Sequence, residues 1–174
     1  MGEKENTMAQ RRLRRTVLGA LAIGLVAALA VGLYLFQPWR LFTTTTVDEA
    51  PIVAAGGAPV TVLATGTFRS HEHDTSGTAQ LQRTPEGTLV LRITDLRTSD
   101  GPALRVWLTD QPVTDDWHNF DDGEHVDLGA LKGNEGNQNY ELPAGTDPAD
   151  LTSVSIWCAR FHVSFGAATL TPAT

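Results

Sequence analysis

Hydrophobic and polar positions change character along this chain. Residues 17–36 form one uncharged apolar run, which matches the roughly 20 residues that cross a bilayer as a helix. From residue 60 onward the pattern breaks into short alternating segments between turn-forming residues. Residues 60–68, 78–83, 88–96, 104–109, 126–131, 139–142 and 167–170 read as strands, with Pro85-Glu86-Gly87 as a hairpin turn. Residues 110–124 read as a polar, acidic loop and residues 133–139 as a Gly/Asn loop. The richest β-branched and aromatic run outside the N-terminal region is residues 153–166, SVSIWCARFHVSFG. It predicts a strand buried on both faces, in the middle of a sheet. About eight strands without an amphipathic helix argue for an all-β ectodomain, an antiparallel β-sandwich behind a single transmembrane helix.

Charge sharpens the division. The chain carries −7 overall, yet residues 1–15 hold Lys4, Arg11, Arg12, Arg14 and Arg15 against Glu3 and Glu5. A basic segment ahead of the apolar run places the N-terminus in the cytoplasm and the residues beyond Phe36 outside, in the manner of a single-pass protein of the cell membrane. It does not suggest nucleic-acid binding. A cleaved signal peptide ending at Ala28-Leu29-Ala30 is the competing reading, and the apolar run continues past it to Phe36. The expected organisation is a cytoplasmic basic tail (1–15), a transmembrane helix (16–36), an extracytoplasmic stalk (37–59) and a globular domain (60–171). In the stalk, residues 47–52 leave room for an extra edge strand. Ala20, Gly24, Ala28 and Gly32 recur at every fourth position of the span and would allow homodimer packing within the lipid bilayer.

Candidate chemistry centres on Cys158, the one cysteine in the chain. It shares a strand face with Val154 and Ile156. An extracytoplasmic lone thiol is either a buried, inert small hydrophobe or the reactive atom of the domain. Cys158 and His162 make a C-x3-H spacing, but both fall in what reads as one continuous strand. With Met1 and Met8 the only methionines, that argues against copper. The His71-Glu72-His73-Asp74 run and the acidic segment with His118 and His125 meet no regular metal-ligand spacing and read as solvated loops. No nucleophile elbow, zincin helix or phosphate loop appears, so no hydrolase or transferase constellation is present.

Several blocks carry a resemblance. They are Gly66-x-Phe68, His73 and Gly77, Gly101-Pro102-x-Leu104-x-Val106-x-Leu108, Leu128-Gly129-x-Leu131-Lys132-Gly133-Asn134-x-Gly136-Asn137-Gln138-x-Tyr140, Pro143, and Ile156-Trp157-Cys158-x-x-Phe161-x-Val163-x-Phe165-Gly166. In this order, over residues 60–170, the chain resembles the DM13 domain. Phe36-Gln37-Pro38-Trp39 and Val47-Asp48-Glu49-Ala50 are similar to its membrane-anchored bacterial members.

The resemblance implies a β-sandwich distantly related to haem-binding DOMON domains, acting in electron transfer or redox modification at the cell surface with a redox partner protein. It implies Cys158 as a naked thiol or as ligand to a prosthetic group such as haem, and His73 as the second site residue. Arg160 is a further candidate for stabilising a thiolate, and Trp107, Trp157 and Phe161 for lining a haem pocket. The alternative is a non-redox interaction or adhesion module in which Cys158 is core and residues 132–140 are a presented loop.

Overall fold

The structure, a computed structural model, describes residues 2–53 and 57–173, with side chains from Gln10 onward. It divides into a unit ending at Pro38 and a second unit, Trp39–Thr174. The first unit is the helix α1 (Gly2–Phe36). Its segment Gln10–Phe36 has the length and hydropathy shared by membrane spans and signal sequences. Its large apolar side chains, Leu18, Leu21, Ile23 and Leu25 among them, are exposed.

The second unit is two sheets. The six-stranded sheet runs in the order β1 (Thr46–Asp48), β8 (Glu135–Glu141), β5 (Leu89–Arg97), β4 (Ser76–Arg83), β2 (Thr61–Thr67) and β11 (Thr171–Pro172). The five-stranded sheet runs β3 (Arg69–Ser70), β10 (Val163–Thr169), β9 (Ser153–Cys158), β6 (Leu104–Thr109) and β7 (His125–Ala130). All pairings are antiparallel except β1 with β8. The fold is therefore the expected all-β one, with β3 and β11 as short strands added to those legible in the sequence.

Strand β9 occupies the centre of its sheet, and each of its six residues is buried. Alternation explains how. Val154, Ile156 and Cys158 join the main core with Leu91, Ile93, Val106 and Leu108. Trp157 points the other way, into a second cluster with Trp107, Phe120 and Ala167.

Three expectations need correction. Residues 153–166 are not one strand but a hairpin. The chain turns back after Cys158, whose carbonyl accepts from the Phe161 and His162 amides, and His162 adopts φ +53°. Residues 133–139 are not a loop throughout: 135–139 are most of β8, hydrogen-bonded to β5 on one side and β1 on the other. The Gly and Asn content reflects close approach. Gly136 has φ +101°, and a Cβ there would collide with the Val47 carbonyl. The acidic segment between β6 and β7 is not simply solvated. Phe120 is fully buried in its middle and covers Trp157 on the outer face of the five-stranded sheet. The edge strand for which residues 47–52 left room is present in part, because β1 sits on β8, and Glu49 salt-bridges Lys132 at 2.8 Å.

This packing sets the expected stability profile. Backbone amides of Val154–Trp157 should exchange slowest in the second unit, measured by mass spectrometry on the full chain. Phe120→Ala should cost about 3–5 kcal/mol in denaturant unfolding, as for a core aromatic despite its place in a loop. A cost near zero would mean the segment does not pack as described.

Candidate functional site

The end of the sandwich where β9 stops gathers the candidate residues from distant parts of the chain. Cys158 is the last residue of β9, opposite Leu104 on β6 and Val163 on β10. Its side chain is fully buried and its Sγ donates to the Pro102 carbonyl at 3.2 Å. Pro102 lies in the 100–103 segment that leads into β6. Ala103 holds φ +65°, costly for a residue with a Cβ, and its carbonyl accepts from Ala159 N at 3.1 Å. The same segment is tied from outside. Arg40 Nη1 donates to Asp100 Oδ1 at 3.1 Å and to the Gly101 carbonyl at 3.2 Å, and Thr43 Oγ1 donates to Asp100 Oδ2 at 2.8 Å.

A cleft of about 280 Å³ lies beyond this segment, lined by Arg40, Asp100, Gly101, Leu104, Lys132 and Asn134 among others. Its polar groups are mostly engaged. Asn134 accepts from Thr45 N and donates to the Thr98 carbonyl, and Lys132 bonds Glu49 and the Asn139 carbonyl. The Lys132 ammonium holds the Glu49 carboxyl below its ordinary range, and burial pushes Tyr140 up to about 12. The Tyr140 hydroxyl donates to Gln138 Oε1 at 2.7 Å, and Gln138 Nε2 donates to the Gly133 carbonyl. Residues 132–140 are thus a clamped segment, strand from Glu135 onward, with a buried Gln138, rather than a presented loop.

His73 belongs to a turn built on a β-bulge. The pairing of β10 with β9 shifts between Ser164 and Gly166, which leaves Phe165 as the extra residue. Its freed carbonyl accepts from His71 N, His73 N and Thr75 Oγ1 at 3.0, 3.3 and 3.0 Å. The His73 ring stacks on Phe165 with centroids 3.9 Å apart. Phe165 in turn packs so tightly on Gly101 that a Cβ there would overlap its ring. Cys158 and His73 therefore flank one structural knot, Gly101–Pro102 with Phe165. No hydrogen bond or ring contact joins the two among the described residues.

Haem ligated by Cys158 does not fit this arrangement. The thiol faces the packed core, not a slot. The adjoining cleft is polar, and its volume of about 280 Å³ lies at the bottom of the ~300–1,000 Å³ range of small-molecule sites. Trp107 and Trp157 are committed to the outer face, stacked on one another at 4.9 Å, and Phe161 is partly exposed in the hairpin turn. No group of three or more His, Cys, Asp or Glu is placed to hold a metal ion among the described residues.

A family model described as "Electron transfer DM13" matches residues 67–170. The chain belongs to the DM13 family. That match covers β4 to β10 entirely and takes in the Cys158 hairpin, so the knot of Gly101, Pro102 and Phe165 lies inside the DM13 domain. No curated protein and no solved structure matches the chain.

His71 gains its interest only from the fold. It is 8 % exposed, with neither ring nitrogen hydrogen-bonded, and lies 5.7 Å from Phe120 and 6.3 Å from Trp117. The sequence signal for this neighbourhood is two large aromatics, Trp117 and Phe120, inside an acidic loop. That loop is fastened to the hairpin turn beside Cys158. His118 Nδ1 donates to the His162 carbonyl at 2.8 Å, and His162 Nδ1 meets Asp121 Oδ2 at 2.8 Å.

Burial lowers the His71 and His73 pKa values, and in His71 the Arg69 charge adds to it. For an imidazole depressed in the folded state, the unfolded chain binds the proton first. Stability is then full above the ordinary value of about 6.5 and falls as pH drops through it toward the folded value. The unfolding midpoint of the DM13 domain should fall from about pH 7 to about pH 5. His71→Phe should flatten that slope. An unchanged slope would mean that His71 binds its proton equally well in the folded and the unfolded chain.

Proposed function

We propose that this DM13 chain is a membrane-anchored redox module whose domain stands outside the cytoplasmic membrane, with Cys158 as its reactive centre and His73 as its helper. The family supports an electron-transfer-related role. The observation that carries the finer reading is the position of the thiol. It is the last residue of the central strand, with its hydrogen bond given to the 100–103 segment, whose Asp100, Gly101 and Ala103 also line an open cleft. The segment is held by a strained Ala103 and by the Arg40–Asp100 pair, and the reading assigns to its movement the exposure of sulfur without unfolding of β9.

The chemistry open to a thiol with no second cysteine in its chain is exchange with a disulfide-bearing partner protein at the cell surface. The Cys158 thiolate attacks one partner sulfur, the new S–S bond forms as the old one breaks, and the second partner sulfur leaves as a thiolate. The thiol must first lose its proton. His73, kept neutral near pH 7 by burial, is the acceptor we assign to it once the segment has moved.

A second reading has one observation in its favour: the sulfur is fully buried beside Leu104 and Val163, as an inert core cysteine would be. Kinetics separate the two. The full chain in nanodiscs is exposed to a small disulfide and mixed-disulfide formation at Cys158 is followed by mass. The redox reading expects reaction from the folded state, faster in Asp100→Ala, which releases the segment, and slower in His73→Ala. If the thiol reacts only at the rate of global unfolding in every variant, Cys158 is core and the module is an interaction domain.

The four arginines before the apolar run support the orientation. Protease added to intact cells should therefore remove the DM13 domain and leave a short membrane-bound stub. Complete protection of the domain would reverse the topology.

A further inference from the structure

The second unit begins with an unusual surface. Its 3-10 turn, Pro38–Phe42, exposes Trp39 by 51 %, Leu41 by 57 % and Phe42 by 89 %, a set of large apolar side chains presented to solvent within four residues. A flexible tether would let such residues fold away. Here they are fixed. Arg40, between them in sequence, bonds Asp100 and the Gly101 carbonyl, and Thr43 Oγ1 bonds Asp100 as well. The apolar trio is thus fastened to the same 100–103 segment that receives the Cys158 thiol.

Chain length says what can cover it. Only Gln37 and Pro38 separate Phe36, where the apolar helix ends, from Trp39. Three residue steps reach about 10 Å at most when fully extended. The headgroup layer on each side of a ~30 Å hydrocarbon core is itself about 5–8 Å thick. Trp39 therefore cannot leave the neighbourhood of the bilayer, and an exposed Trp, Leu and Phe suit the boundary between headgroups and acyl chains.

Resting on the reading of residues 17–36 as an uncleaved span, we infer that Trp39, Leu41 and Phe42 dock the DM13 domain onto the lipid surface. Through the Arg40–Asp100 link, docking turns the Cys158 end of the sandwich toward the membrane. The strand directions define which end that is. Leu104 and Cys158 pair at the docked end, Thr109 and Ser153 at the far one. Arg97 and Glu135 pair at the docked end, and the turns after Arg83 and Glu141 lie far from it. Any partner of Cys158 then approaches along the membrane plane, so it is itself membrane-associated.

The test uses the full chain in phosphatidylcholine–phosphatidylglycerol nanodiscs, in a Cys158→Ser background. Single nitroxides are placed through Phe42→Cys, Ala130→Cys (beside the cleft) and Ala144→Cys (at the far end). Docking expects the label at 42 to be accessible to oxygen and shielded from an aqueous nickel chelate. It also expects a gadolinium-bearing headgroup to relax the label at 130 severalfold more than that at 144. Adding Arg40→Gln should keep the label at 42 in the interface while the label at 130 loses its advantage. A label at 42 as open to nickel as that at 144, in a chain that survives carbonate washing, overturns the docking and leaves the span intact. A chain that washes off the bilayer overturns the span, and the docking with it. Equal relaxation at 130 and 144 without the Arg40 change overturns the orientation.

Discussion

Two-sided burial of β9 is the constraint on which the rest of the structure depends. A central strand carrying Val154, Ile156 and Cys158 on one face and Trp157 on the other has no face to give to water. The inner face is satisfied by the opposing six-stranded sheet. The outer face needs a cover, and the chain supplies it without a third layer by laying the segment between β6 and β7 back across the sheet. Phe120 fits edge-on to Trp157, and the Trp117 carbonyl accepts from Ser164 N at 2.9 Å, so the cover is also stitched to β10. The cost shows in polar atoms left without partners, both nitrogens of His71 and the indole nitrogen of Trp157.

Strands with alternating apolar positions and clear turn residues are legible in the sequence. Residues 104–109 are β6 to the residue, and the Pro85-Glu86-Gly87 turn separates β4 from β5 as its chemistry requires. Legibility fails where local and tertiary preferences disagree. Glycine and asparagine at residues 133–139 look like a loop, yet glycine there admits the Val47 backbone and Asn137 reaches across to Asp48. The hairpin after Cys158 turns on Ala159, Arg160, Phe161 and His162, none of which is a turn former, so no local signal marks the reversal. Its geometry is imposed by the pairing of the two strands it joins.

The candidate site is legible as a set of residues and not as an arrangement. A single cysteine in a central strand singles itself out by type, and His73 stands out by resemblance. Their separation by the Phe165 knot cannot be read, because it rests on a β-bulge, which adds one residue without altering composition. Arg40 illustrates the reverse case. In sequence it is one more basic residue near the end of a hydrophobic helix. Its meaning comes from Asp100, 60 positions away.

The way the chain enters the DM13 domain also has a mechanical consequence. Tension on the N-terminal segment does not load the β-sandwich directly. It meets Arg40 and Thr43 on Asp100 first, then Thr45 N on Asn134 Oδ1 at 2.7 Å, then the parallel β1–β8 ladder, and last the Glu49–Lys132 pair with Arg92 bonded to the Glu49 and Ala50 carbonyls. These fastenings lie in series, and all but the first hold the edge of the six-stranded sheet. A pull strong enough to strip them would free residues 39–50 as slack, at about 3.3–3.6 Å per residue, before any core strand is disturbed. The domain has a built-in shock absorber whose release lengthens its N-terminal segment and leaves the core of β9 closed.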